Sequence, residues 1–136
     1  MRVGCEQVQF EAVSSTAYRG SFELICFFDC LHDMGDPVGI ARHAREQLAP
    51  GGTVLTVEPF ATGDRASNIA ENPAAPLFYH ASAMVCTPCS LAQDVGRGMG
   101  AQSGETGMAA VFEEAGYSHF RRAHESPFNI VYEACV

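Results

Sequence analysis

Residues Phe22–Phe28 form an almost unbroken apolar run, FELICFF, of the kind found in a strand covered on both faces of a sheet. Asp36 and Pro37 follow and predict the start of a helix, because aspartate caps free N–H groups and proline suits the first helical position. Residues 50–52 (PGG) are expected to end that helix, and the β-branched residues 53–57 predict a second buried strand. Strand, helix of crossover length and strand are typical of an α/β fold with a largely parallel sheet.

The rest of the chain carries weaker periodic patterns. Residues 8–13 alternate with a period of two and predict a strand ahead of the apolar run. Three short helices and two C-terminal strands are also predicted. The helices are 64–72, 77–85 and 108–115, and the strands are 117–123 and 128–134.

The composition argues against several classes of partner. Sixteen acidic side chains against eight basic ones give a net charge of −8, which would repel nucleic acid. No apolar run reaches the roughly 18–20 residues that span a bilayer, so no membrane partner is predicted. Six cysteines in 136 residues are too few for a disulfide scaffold, and the first nine residues lack the apolar core of a secretory signal. These features predict a cytoplasmic protein with reduced thiols.

Three predicted strands end on polar residues directly after an apolar run. These ends are residues 14–16, 29–33 and 58–60. Ligands of open α/β sheets bind beyond the carboxyl ends of the strands. Each end taken alone is also compatible with an ordinary solvated strand end, but the three together favour a binding site.

Several motifs carry a resemblance to a known family. The most specific are FFDCLHDMGDP at 27–37, LAPGG at 48–52 and VEPF at 57–60. Weaker ones are YHASAMVCTPCSLAQ at 79–93, GAQSGE at 100–105, AGY at 115–117 and SPFN at 126–129. With this spacing the chain resembles the class I S-adenosylmethionine-dependent methyltransferases, closest to a bacterial group whose domain often follows a winged-helix segment. The resemblance implies a Rossmann-like α/β fold, with a mostly parallel sheet and an antiparallel C-terminal strand pair.

One part of the family's domain has no counterpart here. The family holds the methionine and ribose of its cofactor with a glycine-rich turn after the first strand and an acidic residue after the second. No such turn precedes residue 8, and GRGMG at 96–100 lacks the preceding strand that the motif requires. The resemblance therefore implies that residues 1–136 are the C-terminal portion of the domain, lacking the first βαβ part, with 61–103 as the acceptor-side cover.

This departure has a topological consequence. In the family's sheet the third and fourth strands are separated by the first two, so a strand at 8–13 would have no neighbours and unpaired backbone groups. We therefore expect a truncated domain that is incomplete alone, or one that needs a second copy or a complementing upstream segment.

The resemblance also implies roles for individual residues. His32 and Asp33 resemble the His-Asp pair of small-molecule O-methyltransferases, in which the histidine deprotonates the acceptor hydroxyl. An imidazole titrates near neutral pH and suits that task. Glu58 resembles a carboxylate that orients such a histidine. The residues implied to contact S-adenosylmethionine are Ser14, Ser15, Phe28, Asp29 and Leu31. The alternative for His32 is an ordinary capping or core histidine.

Two other functions stay open at this stage. One is a half-domain without catalytic activity that acts as an oligomerisation or regulatory module through an exposed sheet edge. The other is thiol–disulfide chemistry at Cys86 and Cys89, which have the C-x-x-C spacing, although residues 78–85 before them look helical and a thioredoxin-like motif needs a strand there. No metal site is predicted, because only His80 lies near this pair in sequence. Cys26 and Cys30 are expected to be packed thiols.

Overall fold

The structure is a computed structural model that describes residues 8–136. Its strands are β1 (Phe22–Phe28), β2 (Leu48–Pro59), β3 (His119–Glu125) and β4 (Asn129–Cys135). Its α-helices are α1 (Pro37–Glu46), α2 (Arg65–Glu71), α3 (Ala75–Ala81), α4 (Thr87–Leu91) and α5 (Gly104–Glu114). A 3₁₀ turn covers Leu31–Asp33, and a π-helical turn, Ser82–Cys86, joins α3 to α4.

The strands form one mixed sheet in the order β1-β2-β4-β3. β1 and β2 are parallel, and they are joined through α1 as in a βαβ crossover. β4 lies antiparallel to both β2 and β3. The predicted α/β fold, with parallel strands first and an antiparallel C-terminal pair, is confirmed.

Helix α1 begins where the sequence predicts and ends earlier. The Asp36 carboxylate accepts a hydrogen bond from the Gly39 N–H (2.8 Å), and Pro37 occupies the first turn. The predicted end at 50–52 is wrong, because the helix stops at Glu46 and those residues already belong to β2. A register shift between β1 and β2 accommodates them, and Gly51 takes the left-handed φ of 78° that this path requires.

The core lies on one face of the sheet, beneath α1 and α5. Alternate residues of the strands point into it, and α5 contributes its own buried side chains. The largest apolar contributors are Leu31, Met108, Val111, Phe112, Ile130 and Tyr132. The buried side of β2 contains Val54, Thr56 and Glu58, so an acidic side chain lies at the end of a core-facing row.

Strand β1 differs from its prediction. Only one face is packed: Phe27 is buried, whereas Leu24 is 51% and Phe28 is 69% exposed. Cys26 is exposed rather than packed, and Cys30 is half-buried. The reason is that β1 is an edge strand of the described sheet, with no helix over its second face, so an apolar sequence is left partly in solvent.

The strand predicted at 8–13 is wrong. These residues are exposed and contain no strand, and the chain next makes a turn in which the Ala17 N–H donates to the Ser14 carbonyl (2.9 Å). An alternating pattern forms a strand only where a neighbour pairs with its backbone, and the described residues provide none for this segment.

The remaining elements agree with the predictions in type and differ at their ends. Helix α2 lies within 64–72, and the helix predicted at 77–85 is α3 with the π-helical turn, continued by α4. Helix α5 begins four residues earlier than predicted, and β3 and β4 lie close to the predicted ranges. None of the helices described between residues 8 and 136 has the length and apolar character to cross a membrane.

Candidate active site

The candidate site lies at the carboxyl end of β1, where the chain turns sharply. The Asp29 N–H donates to the Val57 carbonyl (2.8 Å), which extends the pairing with β2 by one residue. Asp29 itself has a φ of 51°, a left-handed conformation that costs a non-glycine residue roughly 1–2 kcal/mol. This turn redirects the chain into the 3₁₀ turn, which places His32 above the end of β2.

His32 and Glu58 form a buried pair. The side chain of His32 is held through Nδ1, which hydrogen-bonds to Glu58 Oε2. The other carboxylate oxygen, Oε1, accepts the Leu31 N–H (3.2 Å), so the carboxylate is fixed on both oxygens. His32 is 2% and Glu58 is 3% exposed. A carboxylate on Nδ1 keeps the proton at that nitrogen and leaves the lone pair on Nε2.

Asp33 lies on the other side of the imidazole. Its Oδ1 is 3.1 Å from His32 Nε2, and this oxygen is buried without a hydrogen-bond partner among residues 8–136. The rest of the Asp33 side chain reaches solvent. His32 therefore has a carboxylate beside each ring nitrogen.

The electrostatics of the pair favour a bound proton. Burial lowers the pKa of His32, but the hydrogen bond that its Nδ1–H donates to Glu58 and the charges of Glu58, Asp33 and Asp29 outweigh this effect and raise the pKa above its ordinary value. Burial also raises the pKa of Glu58, against the opposing effect of His32. The pair therefore holds a proton more tightly than an isolated imidazole in water.

Cys86 is a member of this cluster that the sequence did not place there. Its thiol is buried, and polar atoms of His32, Asp33 and Cys86 all lie within 4.8 Å of one another. Burial, together with the adjacent Asp33 carboxylate, raises the pKa of Cys86 to about 11.

This environment also bears on the C-x-x-C motif. Redox cysteines depend on a lowered pKa, whereas the Cys86 thiol stays protonated at neutral pH. Cys89 is exposed, and Cys86 follows a helix rather than a strand. Because His32 and Cys86 are 54 positions apart in the sequence, no spacing rule could have joined them.

The loop after His32 is tied to α4 and its C-terminal extension. The Gln93 amide donates to the Asp33 carbonyl (2.9 Å) and accepts from the Gly35 N–H (2.9 Å). The buried Ser90 hydroxyl donates to the Met34 carbonyl (2.7 Å). These bonds from α4 and the residues after it hold the turn in place. The sequence did not predict Gln93 or Ser90 as site residues.

The residues predicted to bind the cofactor lie in three different environments. Phe28 and Asp29 are exposed at the end of β1, and Asp29 is close to His32 and Glu58. Leu31 is fully buried in the core and offers the site only its backbone N–H.

Ser14 and Ser15 lie apart from this group in the described contacts. They line an open cavity together with Asp36, Ile40 and residues 92–95. The structure thus brings together His32, Asp33, Glu58 and Asp29, and records no contact between them and the two serines.

Comparison with known proteins identifies the family. The buried His–carboxylate pair places acid–base groups at the carboxyl ends of the parallel strands, where open α/β sheets bind their ligands. A family described as a methyltransferase domain matches residues 3–97, well over half of the chain. This chain belongs to that methyltransferase domain family. None of the curated protein sequences matches it.

Solved structures show the same fold. Human N-acetylserotonin methyltransferase in complex with S-adenosylmethionine superposes with a TM-score of 0.66 and 18% identity, over 96% of this chain and 34% of its own. A Nostoc punctiforme protein assigned as an O-methyltransferase has a TM-score of 0.65 and 19% identity over 91% of this chain and 35% of its own. PigF with S-adenosylhomocysteine has a TM-score of 0.62 and 18% identity over 90% of this chain and 32% of its own.

These likenesses establish the class I methyltransferase fold, which confirms the resemblance seen in the sequence. The chain spans about a third of the length of these solved relatives.

Proposed function

We propose that this chain carries the acceptor-activating part of an S-adenosylmethionine-dependent methyltransferase that methylates a hydroxyl group of a small molecule. The observation that carries the proposal is the His32 imidazole, buried and oriented through Nδ1 by Glu58 at the carboxyl end of β1. In this family fold, such a position suits a general base for the acceptor.

The residues at the end of β1 fit the cofactor in part. An aromatic ring that is 69% exposed, Phe28, offers a face for the adenine. The neighbouring Asp29 carboxylate is exposed and suits ribose hydroxyls or a cationic centre. Ser14 and Ser15 supply hydroxyl groups in the separate open cavity that they line with Asp36 and Ile40. When bound, S-adenosylmethionine supplies an electrophilic methyl group on a positively charged sulfur.

The chemistry of this chain's own residues follows from the geometry. His32 Nε2 accepts the hydroxyl proton of the acceptor, and the resulting imidazolium is stabilised by Glu58 on Nδ1 and by Asp33 at 3.1 Å. General base catalysis of this kind contributes about 10²–10⁴-fold in rate. Because a sulfonium methyl group is already reactive, positioning of the acceptor supplies much of the remainder.

Segment 61–103 is proposed as the acceptor-side cover. A largely apolar groove of about 550 Å³ lies between α2 and α3 and is lined by Arg65, Ile69, Pro76, Tyr79 and Ala83. This volume falls in the range of small-molecule sites, about 300–1,000 Å³. The groove supports a small apolar acceptor that carries a hydroxyl group.

The remaining part of the cofactor site is proposed to come from a complementing segment or from a second copy of the chain. The open edge of β1, with its exposed Leu24 and Phe28 side chains, supports pairing at that position. A cytoplasmic location is proposed as well, since each of the described cysteines is free, as expected in a reducing compartment.

The test combines a binding measurement with an activity measurement. Calorimetric titration of S-adenosylhomocysteine into the chain, alone and together with a segment that supplies the glycine-rich turn, is expected to give saturable binding in at least one of the two samples. Transfer of a labelled methyl group to a panel of phenols and alcohols in the binding sample reports turnover. His32→Gln is expected to lower kcat by about 10²–10⁴-fold and to leave S-adenosylhomocysteine affinity unchanged. The control is His119→Gln, on the exposed edge strand β3. Turnover in His32→Gln within twofold of the parent would overturn the proposed role of His32. A parent chain that neither binds nor transfers, alone or with the complementing segment, would overturn the function.

A further inference from the structure

We propose that His32, Asp33 and Cys86 form a binding site for Zn²⁺. The three side chains offer a nitrogen, an oxygen and a sulfur atom that all lie within 4.8 Å of one another. This mixed donor set suits zinc, whereas magnesium and calcium prefer sites made of oxygen ligands alone.

The histidine is prepared as a metal ligand. Glu58 occupies Nδ1 and leaves Nε2 with its lone pair directed at the other two side chains. A carboxylate on the far nitrogen of a ligating histidine is the usual outer arrangement of zinc sites, because it fixes the ring and raises its basicity. Asp29, His32 and Glu58 are a second group of possible metal ligands. We exclude them as the metal site because His32 Nδ1, which faces that group, is already hydrogen-bonded to Glu58.

An unpartnered oxygen of Asp33 also supports a bound cation. Asp33 Oδ1 is 3.1 Å from His32 Nε2 and is buried with no hydrogen-bond partner among residues 8–136. A buried carboxylate oxygen without a donor is costly, and a cation placed between it and the imidazole would satisfy it.

The geometry needs only a small adjustment. Zinc–ligand distances of about 2.0–2.3 Å in a tetrahedral site put the ligand atoms roughly 3.3–3.7 Å apart. The distance from His32 Nε2 to Asp33 Oδ1, 3.1 Å, is already close to this range. The remaining adjustment is a movement of the Cys86 side chain, which lies at the end of the π-helical turn. Such turns are frequent at functional sites. With three protein ligands, the fourth position of the ion is left for water or a small molecule.

Charge balance favours the ion. The cluster holds the partly exposed carboxylate of Asp33 and the buried carboxylate of Glu58. On binding, the Cys86 thiol gives its proton to solvent and the thiolate joins the Asp33 carboxylate, so two negative ligands neutralise the two charges of Zn²⁺. The proton on His32 Nδ1 stays on that nitrogen and remains hydrogen-bonded to Glu58.

The site would act as an inhibitory switch, a consequence that rests on the proposed function. The ion uses the same His32 Nε2 lone pair that accepts the proton of the acceptor. Zinc binding and methyl transfer are therefore mutually exclusive.

Cobalt(II) serves as the spectroscopic probe of the site. The parent chain with one equivalent of Co²⁺ is expected to show a thiolate-to-cobalt charge-transfer band, which Zn²⁺ abolishes with 1:1 stoichiometry. Cys86→Ser is expected to lose the band, and the matched control Cys89→Ser to keep it. His32→Gln and Asp33→Asn are each expected to weaken Zn²⁺ at least tenfold in a chelator competition.

A second measurement needs no variant and covers the case in which a substitution prevents folding. Alkylation of the parent chain followed by mass spectrometry should show that Zn²⁺ protects Cys86 and leaves Cys89 reactive. A cobalt band retained in Cys86→Ser, an absent band in the folded parent, or equal alkylation of Cys86 with and without Zn²⁺ would overturn the site. Zinc that binds as expected without inhibiting a measurable methyl transfer would overturn only the switch, so the two proposals fail separately.

Discussion

Replacing Glu58 with glutamine tests the central pair of the site. The substitution keeps the size of the side chain and the bond to His32 Nδ1 but removes the negative charge. A hydrogen bond to a charged group contributes about 1.5–3 kcal/mol, against about 0.5–1.5 kcal/mol for a neutral one. His32 and Glu58 are 2% and 3% exposed, so solvent screens little of this difference.

The expected result is a lower pKa for His32. Since one pKa unit corresponds to about 1.4 kcal/mol, the loss of the charge should lower the pKa by about one unit, and by up to two with the long-range attraction included. The measurement is an NMR titration of the imidazole resonances, with His32 assigned through a His32→Gln variant. Glu105→Gln, whose carboxylate pairs with Arg122, is the matched control and should leave the titration unchanged.

The same substitution changes the pH dependence of stability. His32 has a folded-state pKa above its ordinary value of 6.5, so its contribution is fully present below pH 6.5 and is lost as the pH rises through the folded-state pKa. The parent chain should therefore lose unfolding free energy across that window in urea titrations, and Glu58→Gln should lose less. A His32 pKa that stays constant or rises in Glu58→Gln would refute the account of this pair.

Three further predictions concern the scaffold and the thiols. Asp36→Ala removes the cap of α1 and should lower the free energy of unfolding by about 1 kcal/mol in urea titrations; an unchanged midpoint would contradict the assigned cap. Gly104→Ala should lower the free energy of unfolding by about 1–2 kcal/mol, because the φ of Gly104 is 65° and the new Cβ would lie 3.0 Å from a backbone oxygen. Gly63→Ala is the control: its Cβ would meet nothing within 4 Å, and it should lower the free energy of unfolding by less than half as much. Without zinc, iodoacetamide at pH 8 should modify the exposed Cys89 at least tenfold faster than the buried Cys86, whose pKa is raised to about 11; equal rates by mass spectrometry would contradict this burial.

Local signals in the sequence predict most of the elements and their order. FELICFF formed β1, Asp36 and Pro37 began α1, and residues 53–57 lay inside β2. These signals are local: side-chain shape, a capping carboxylate and a fixed proline φ act within a few residues, whatever the rest of the chain does. Family motifs in the same stretch also indicated His32, Asp33 and Glu58 as a group, and the structure places them together.

Which faces are covered and which distant side chains meet depend on how the elements pack in three dimensions. An alternating pattern predicts a strand at 8–13, but strand formation depends on a neighbouring backbone, and the segment has none among the described residues. The apolar run of β1 does not reveal that Leu24 and Phe28 are exposed at a sheet edge. Cys86 reaches the site only because the helical segment 75–91 packs back onto the turn after β1, and Ser90 and Gln93 hold it there. Sequence distance carries no information about such contacts, because they depend on how whole elements pack.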